Sequence, residues 1–109
     1  MVARVTSVAV RPEDIDESAR LFDESVLPAA RREKGFMGAL LLVRDDGRAM
    51  AIDLCDTIEN LRANERSGFY QEQIAKFAEK ITGHPTREIY EVAVAKGIEG
   101  GLGDIEEGS

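Results

Sequence analysis

With 109 residues, 43% of them apolar and 32% charged, the chain has the length of one domain with a modest core and the composition of an ordinary globular protein. A formal charge of −7 and no basic stripe leave no footing for nucleic-acid binding, which depends on releasing counterions from phosphates. The longest apolar run, Ala39–Val43, is far short of a membrane span, and no signal-peptide pattern opens the chain, so a cytoplasmic protein that contacts neither membrane nor nucleic acid is expected.

Residues 2–10 are rich in β-branched side chains and end at Arg11-Pro12, which predicts a first strand. Pro12-Glu13-Asp14 then opens a helix, with acids in the first turn where the helix dipole favours them. Ile15, Ala19, Phe22 and Val26 recur at helical spacing and mark its buried face. Pro28 lacks the N–H that would bond to Glu24, so a kink or restart is expected there. Lys34-Gly35 closes the helix.

Residues 35–43 form a strand with apolar side chains on both faces: Phe36, Leu40 and Leu42 on one, Met37, Leu41 and Val43 on the other. Asp45-Asp46-Gly47 is a hairpin turn, and residues 48–56 return as the partner strand. Thr57 caps the next helix, with Asn60 rather than Glu at the third position, so a plain cap is expected rather than a capping box. Ser67-Gly68 interrupts the helical region. Tyr70, Ile74, Phe77 and Ile81 give the cleanest helical stripe in the chain, and Thr82-Gly83-His84-Pro85 ends it.

Residues 86–96 read as the last strand. Residues 97–109 hold five glycines and four acids with no Lys or Arg, leaving 17 acids against 14 bases in the first 96 residues. A domain over 1–96 and a flexible acidic tail over 97–109 are expected.

The element order is βαββαβ, an α+β ferredoxin-like fold: a four-stranded antiparallel sheet with both helices on one face. The strand faces sort by size. Val8/Val10, Met50/Ile52/Leu54 and Tyr90/Val92/Val94 are bulky and are expected under the helices. Val5/Ser7/Ala9, Ala49/Ala51/Asp53 and Ala93/Ala95 are small, with Met37/Leu41/Val43 or the opposite row of that strand beside them. A largely apolar second face is poorly suited to water, and a homodimer with sheets face to face is the expected cover.

The PEDIDE helix opening, the stretch LPAARREKGFMGALLLVRDDGRAMAIDL and the closing REIYEVAV strand resemble the dimeric α/β-barrel superfamily, and within it the antibiotic biosynthesis monooxygenase (ABM-like) domains. The resemblance covers about residues 2–96 and rests on structural motifs. It implies a homodimer and a monooxygenase that needs no metal or flavin, acting on aromatic or polyketide-like metabolites. The alternative it leaves open is a non-catalytic small-molecule-binding or assembly protein on the same scaffold. Haem-degrading members carry Asn, Trp and His at set places, near which this chain has Ser7, Cys55 and Glu65 and no Trp at all. Haem degradation is not expected, and the oxygenases' Trp and Asn positions are likewise unmatched, with Ala51 and Cys55 in their vicinity.

Candidate site residues follow from the strands and stripes. Asp53 is a carboxylate in a central strand, costly unless paired or wet; it is either a general base lining a pocket or the partner of an Arg or Lys on a neighbouring strand or the dimer mate. Tyr70 is the candidate for positioning or deprotonating a substrate beside it, and His84, in its Gly-His-Pro turn, is a candidate acid/base at a pocket mouth or simply an exposed loop residue. Phe22, Phe69 and Phe77, with Cys55, are expected either to line a pocket for a flat apolar ligand or to fill the core. One Cys and one His permit no intramolecular disulfide and no metal cluster of recognised spacing, and no cofactor is expected.

Overall fold

The first strand, β1 (Val2–Ala9), lies inside the sheet with both its edges paired. In the computed structural model, which describes residues 1–97, it runs antiparallel to β3 (Arg48–Cys55) on one side and to β4 (Thr86–Glu91) on the other. β2 (Phe36–Val43) pairs with the outer edge of β3, giving the order β2-β3-β1-β4. The helices connect β1 to β2 and β3 to β4, so the fold is the expected α+β ferredoxin-like arrangement. The proposed tail lies outside the described residues, apart from Gly97.

The first helical region stays continuous across Pro28. A 3₁₀ turn at Pro12–Asp14 leads into α1 (Ile15–Leu21), a π-helical turn over Phe22–Val26, and α2 (Leu27–Ala30). The Leu27 N–H bonds to the carbonyl of Phe22, five residues back. This wider turn lets the chain pass the missing proline donor without a break.

Side-chain periodicity slips at the start of β2. Phe36 pairs with Cys55 and Gly38 with Leu54, so Met37 is an extra, bulged residue. Strict alternation puts Phe36 with Leu40 and Leu42; the bulge moves it to the helix side with Leu41 and Val43. The hairpin turn is as expected: the Gly47 N–H bonds to the Arg44 carbonyl at 2.9 Å, and Gly47 takes φ +94°. Its backbone presses on the Val10 carbonyl, so no side chain fits there.

The face of β3 is the reverse of the one inferred from side-chain size. Ala49, Ala51, Asp53 and Cys55 face the helices, opposite Val8, Thr6, Arg4 and Val2 of β1. Met50, Ile52 and Leu54 point to the open side with Leu40 and Leu42. Volume explains the choice: the helices supply the large groups, Phe22, Leu61, Phe69, Tyr70 and Phe77, and small strand residues leave room for them. Val8 and Val10 do face the helices as expected.

The last helical region also departs from a regular helix. Thr57 Oγ1 accepts the Asn60 N–H at 3.1 Å and starts α3 (Ile58–Arg66), whose Leu61 is the most deeply buried side chain. Gly68, at φ +88°, turns the chain into α4 (Phe69–Ala75). Beyond Ala75 most bonds shorten to the i−3 pattern, and Ile81 ends in a bridge to Val10. The 70–81 stripe nonetheless keeps one side to the sheet.

β4 stops at Glu91 rather than Lys96. Its partner β1 begins at Val2, paired with Glu91, and the last bond runs from the Val92 N–H to the Met1 carbonyl at 3.0 Å. Val94, beyond the strand, is 77% exposed.

Candidate functional site

Between the sheet and the helices lies a cavity of about 120 Å³. β1 contributes Arg4, Thr6, Val8 and Val10, and β3 contributes Ala49, Ala51, Asp53 and Cys55. Phe36, Leu41 and Val43 of β2 and Phe22 and Val26 of the π turn form one apolar wall; Leu61, Phe69, Tyr70, Ile74, Phe77 and Ile81 form another. Cavities of this order hold a single aromatic ring. The exposed Lys34 and Val43 stand on the rim.

One end is polar and centred on Arg4, whose side chain is only 6% exposed. Its Nε and Nη2 donate to Asp53 Oδ2 at 3.2 and 2.9 Å, and its Nη1 donates to Asn64 Oδ1 at 3.0 Å and Glu65 Oε2 at 3.3 Å. The guanidinium lies over the Tyr70 ring, 4.1 Å from its centroid, where the face of the ring attracts a cation. Asn64 Nδ2 in turn donates to Glu33 Oε1 at 2.9 Å, and Arg87 of β4 pairs with Glu65. A buried cation and its carboxylates thus satisfy one another, as burial requires.

Burial holds the Asp53 carboxyl above its ordinary range, Arg4 pulls it back in part, and the nearby Glu65 pushes the same way as burial. Arg4 engages only Oδ2, and Oδ1 makes no hydrogen bond with the described residues. Burial also raises the Tyr70 phenol, whose oxygen sits 2.7 Å from Thr6 Oγ1. Two further polar atoms in the cavity wall, Ser18 Oγ and Gln73 Oε1, are buried without a partner among the described residues.

Of the residues singled out from the sequence, Asp53, Tyr70, Phe22, Cys55, Phe69 and Phe77 all line this cavity. His84 does not; it is exposed on the turn before β4. Cys55 is buried, its thiol raised by burial, and it donates only to Asp56. Arg4, Thr6 and Asn64 are not among the residues singled out from the sequence. The available signal was in β1, where Arg4 and Thr6 interrupt the apolar pattern on the same face as Val8 and Val10.

Among the described residues, no cluster of three or more His, Cys, Asp or Glu is placed to hold a metal ion, and no helix is long and apolar enough to cross a membrane. No family model and no curated protein matches the chain. Solved structures do. A Deinococcus radiodurans protein provisionally described as an antibiotic biosynthesis monooxygenase aligns at a TM-score of 0.70 and 16% identity, over 87% of this chain and 95% of that one. One from Caulobacter crescentus with the same provisional description gives 0.68 and 17%, over 85% and 90%. A Nitrosomonas europaea protein of unknown function gives 0.70 and 21%, over 87% and 91%. The chain has the fold of the ABM-like domains.

Proposed function

We propose that this chain acts as a homodimer that admits a small aromatic molecule to the cavity and oxidises it with dioxygen, without metal or flavin. The observation that carries the reading is the meeting of an apolar, ring-sized space with Asp53 and Tyr70 at one end. Asp53 Oδ1 is unengaged among the described residues and belongs to a carboxyl of raised pKa, which suits a general base. It would take a proton from an activated phenol. The resulting electron-rich anion reduces dioxygen itself; converting the ring C–H opposite the hydroxyl to C=O gives a quinone, uses one oxygen atom and releases the other as water. Arg4 offsets the charge on the base, and Tyr70 orients the ring. His84 has no part in this reading.

The dimer is supported by the open face of the sheet. Leu40, Leu42, Met50, Ile52, Leu54 and Val5 form contiguous rows across β2, β3 and β1, with Leu42 48% and Met50 44% exposed. Such a patch is characteristic of a surface that another sheet covers.

A second reading, binding without turnover, is favoured by the closed pairing of Arg4, Asp53, Asn64, Glu65 and Arg87, which resembles a structural network. Incubation with single-ring, electron-rich phenols such as the dimethoxyphenols under oxygen separates the two. Oxygen uptake with quinone formation, lost in Asp53→Asn, supports oxidation. Saturable binding with no uptake above background supports the second reading.

A further inference from the structure

Beyond a preference for aromatic rings, the cavity wall carries two polar atoms whose state points to the ligand's own functional groups. Ser18 is 8% exposed, on α1. A helical serine ordinarily folds its hydroxyl back onto a carbonyl one turn earlier, yet Ser18 Oγ makes no such bond, and it lines the cavity. Gln73 Oε1, on α4, is likewise buried without a partner among the described residues, and Gln73 lines the same cavity. Buried polar atoms without partners are uncommon and cost free energy, and both here border the same free space. By contrast, the charged groups are already committed: Arg4 spends Nε, Nη1 and Nη2 on Asp53, Asn64 and Glu65.

We infer that Ser18 and Gln73 select a neutral aromatic ligand that carries both a carbonyl, accepting from the Ser18 hydroxyl, and a hydroxyl, donating to Gln73 Oε1. This rests on the cavity-binding reading above. An anionic ligand is disfavoured, because four of the five guanidinium N–H donors are already committed and Asp53, Glu65 and Glu33 stand nearby.

The test is a calorimetric titration of the full chain with 3- and 4-hydroxyacetophenone, alongside acetophenone, the ethylphenols, ethylbenzene and the hydroxybenzoates. A hydroxyacetophenone should bind most tightly, with the loss of either group weakening binding roughly fivefold, as expected for one neutral hydrogen bond. Ser18→Ala should abolish the advantage of the ketone over the ethylphenol, and Gln73→Leu that of the phenol over acetophenone, while ethylbenzene binds all three proteins alike. Ser18→Ala removes an unpaired buried hydroxyl and should fold at least as well as the parent, which circular dichroism checks. Equal affinity for all the neutral probes, or tighter binding of the benzoates, overturns the inference and leaves cavity binding standing. Binding of none of them overturns both.

Discussion

Arg4 and Asp53 face each other across neighbouring strands, and the guanidinium places two hydrogen bonds, of 3.2 and 2.9 Å, on one carboxylate oxygen. The pair joins β1 to β3 under the helices, and through Asn64 and Glu65 it ties α3 to the sheet. Removing the cation alone strands the Asp53 carboxylate in a poorly hydrated place, while Glu65 keeps Arg87. Arg4→Met should therefore destabilise the fold by roughly 3 kcal/mol. The double change Arg4→Met/Asp53→Leu should recover part of that loss. Urea denaturation of the two variants checks this, and a single variant as stable as the parent contradicts it.

Tyr70 is held in two ways, by the cation over its ring and by the Thr6 hydroxyl at 2.7 Å. Tyr70→Phe keeps the ring and leaves the buried Thr6 hydroxyl without its partner. The expected loss is about 1 kcal/mol in a urea titration. Tyr70→Ala should cost several times as much, because it also removes the ring from the cavity wall.

Asp53 gives the stability a pH signature of unusual sign. Its folded pKa is raised by burial from the ordinary 3.8, so the folded state holds this proton more tightly than the unfolded chain does. The contribution is present below pH 3.8 and is lost as the pH rises through the folded pKa. The stability of the parent relative to Asp53→Asn should fall as the pH climbs through the window above 3.8. Asp46 and Asp56, exposed and hydrogen-bonded, are shifted the other way. Denaturation midpoints of both proteins from pH 3 to 7 check the sign, and a difference that grows with pH contradicts it.

The open face predicts a dimer of about twice the 12.0 kDa chain mass. Leu42 and Met50 are neighbours on that face, and charging both, as Leu42→Lys/Met50→Glu, should leave a folded monomer. Light scattering with circular dichroism separates this outcome from unfolding. A parent that sizes as a monomer at micromolar concentration contradicts it.

Local signals made the element order legible: the β-branched opening, the Asp45-Asp46-Gly47 turn, the Thr57 cap and the 70–81 stripe all correspond to elements of the structure. What did not show was anything decided between distant segments. The face of β3 depends on the bulk the helices bring to it, and neither Met50 nor Ala51 reports that bulk. The bulge at Met37 moved Phe36 across the sheet, although alternation alone gives no reason to expect it. The end of β4 lies at its pairing with Val2 of β1, a register that residues 86–96 alone do not report. Asp53 stood out as a charge in a strand, and pairing with an Arg on a neighbouring strand was one of the readings open to it. That the partner is Arg4 follows only from the order β2-β3-β1-β4, which brings residues 49 positions apart into register.

The most direct test of the cavity itself is a nuclear magnetic resonance titration with 3-hydroxyacetophenone, following amide and methyl signals. Saturable shifts concentrated at Thr6, Ala51, Leu61, Tyr70 and Ile74 are the predicted result. Shifts confined to Leu40, Leu42, Met50 and Tyr90 on the other side of the sheet, or no saturation at all, would contradict it.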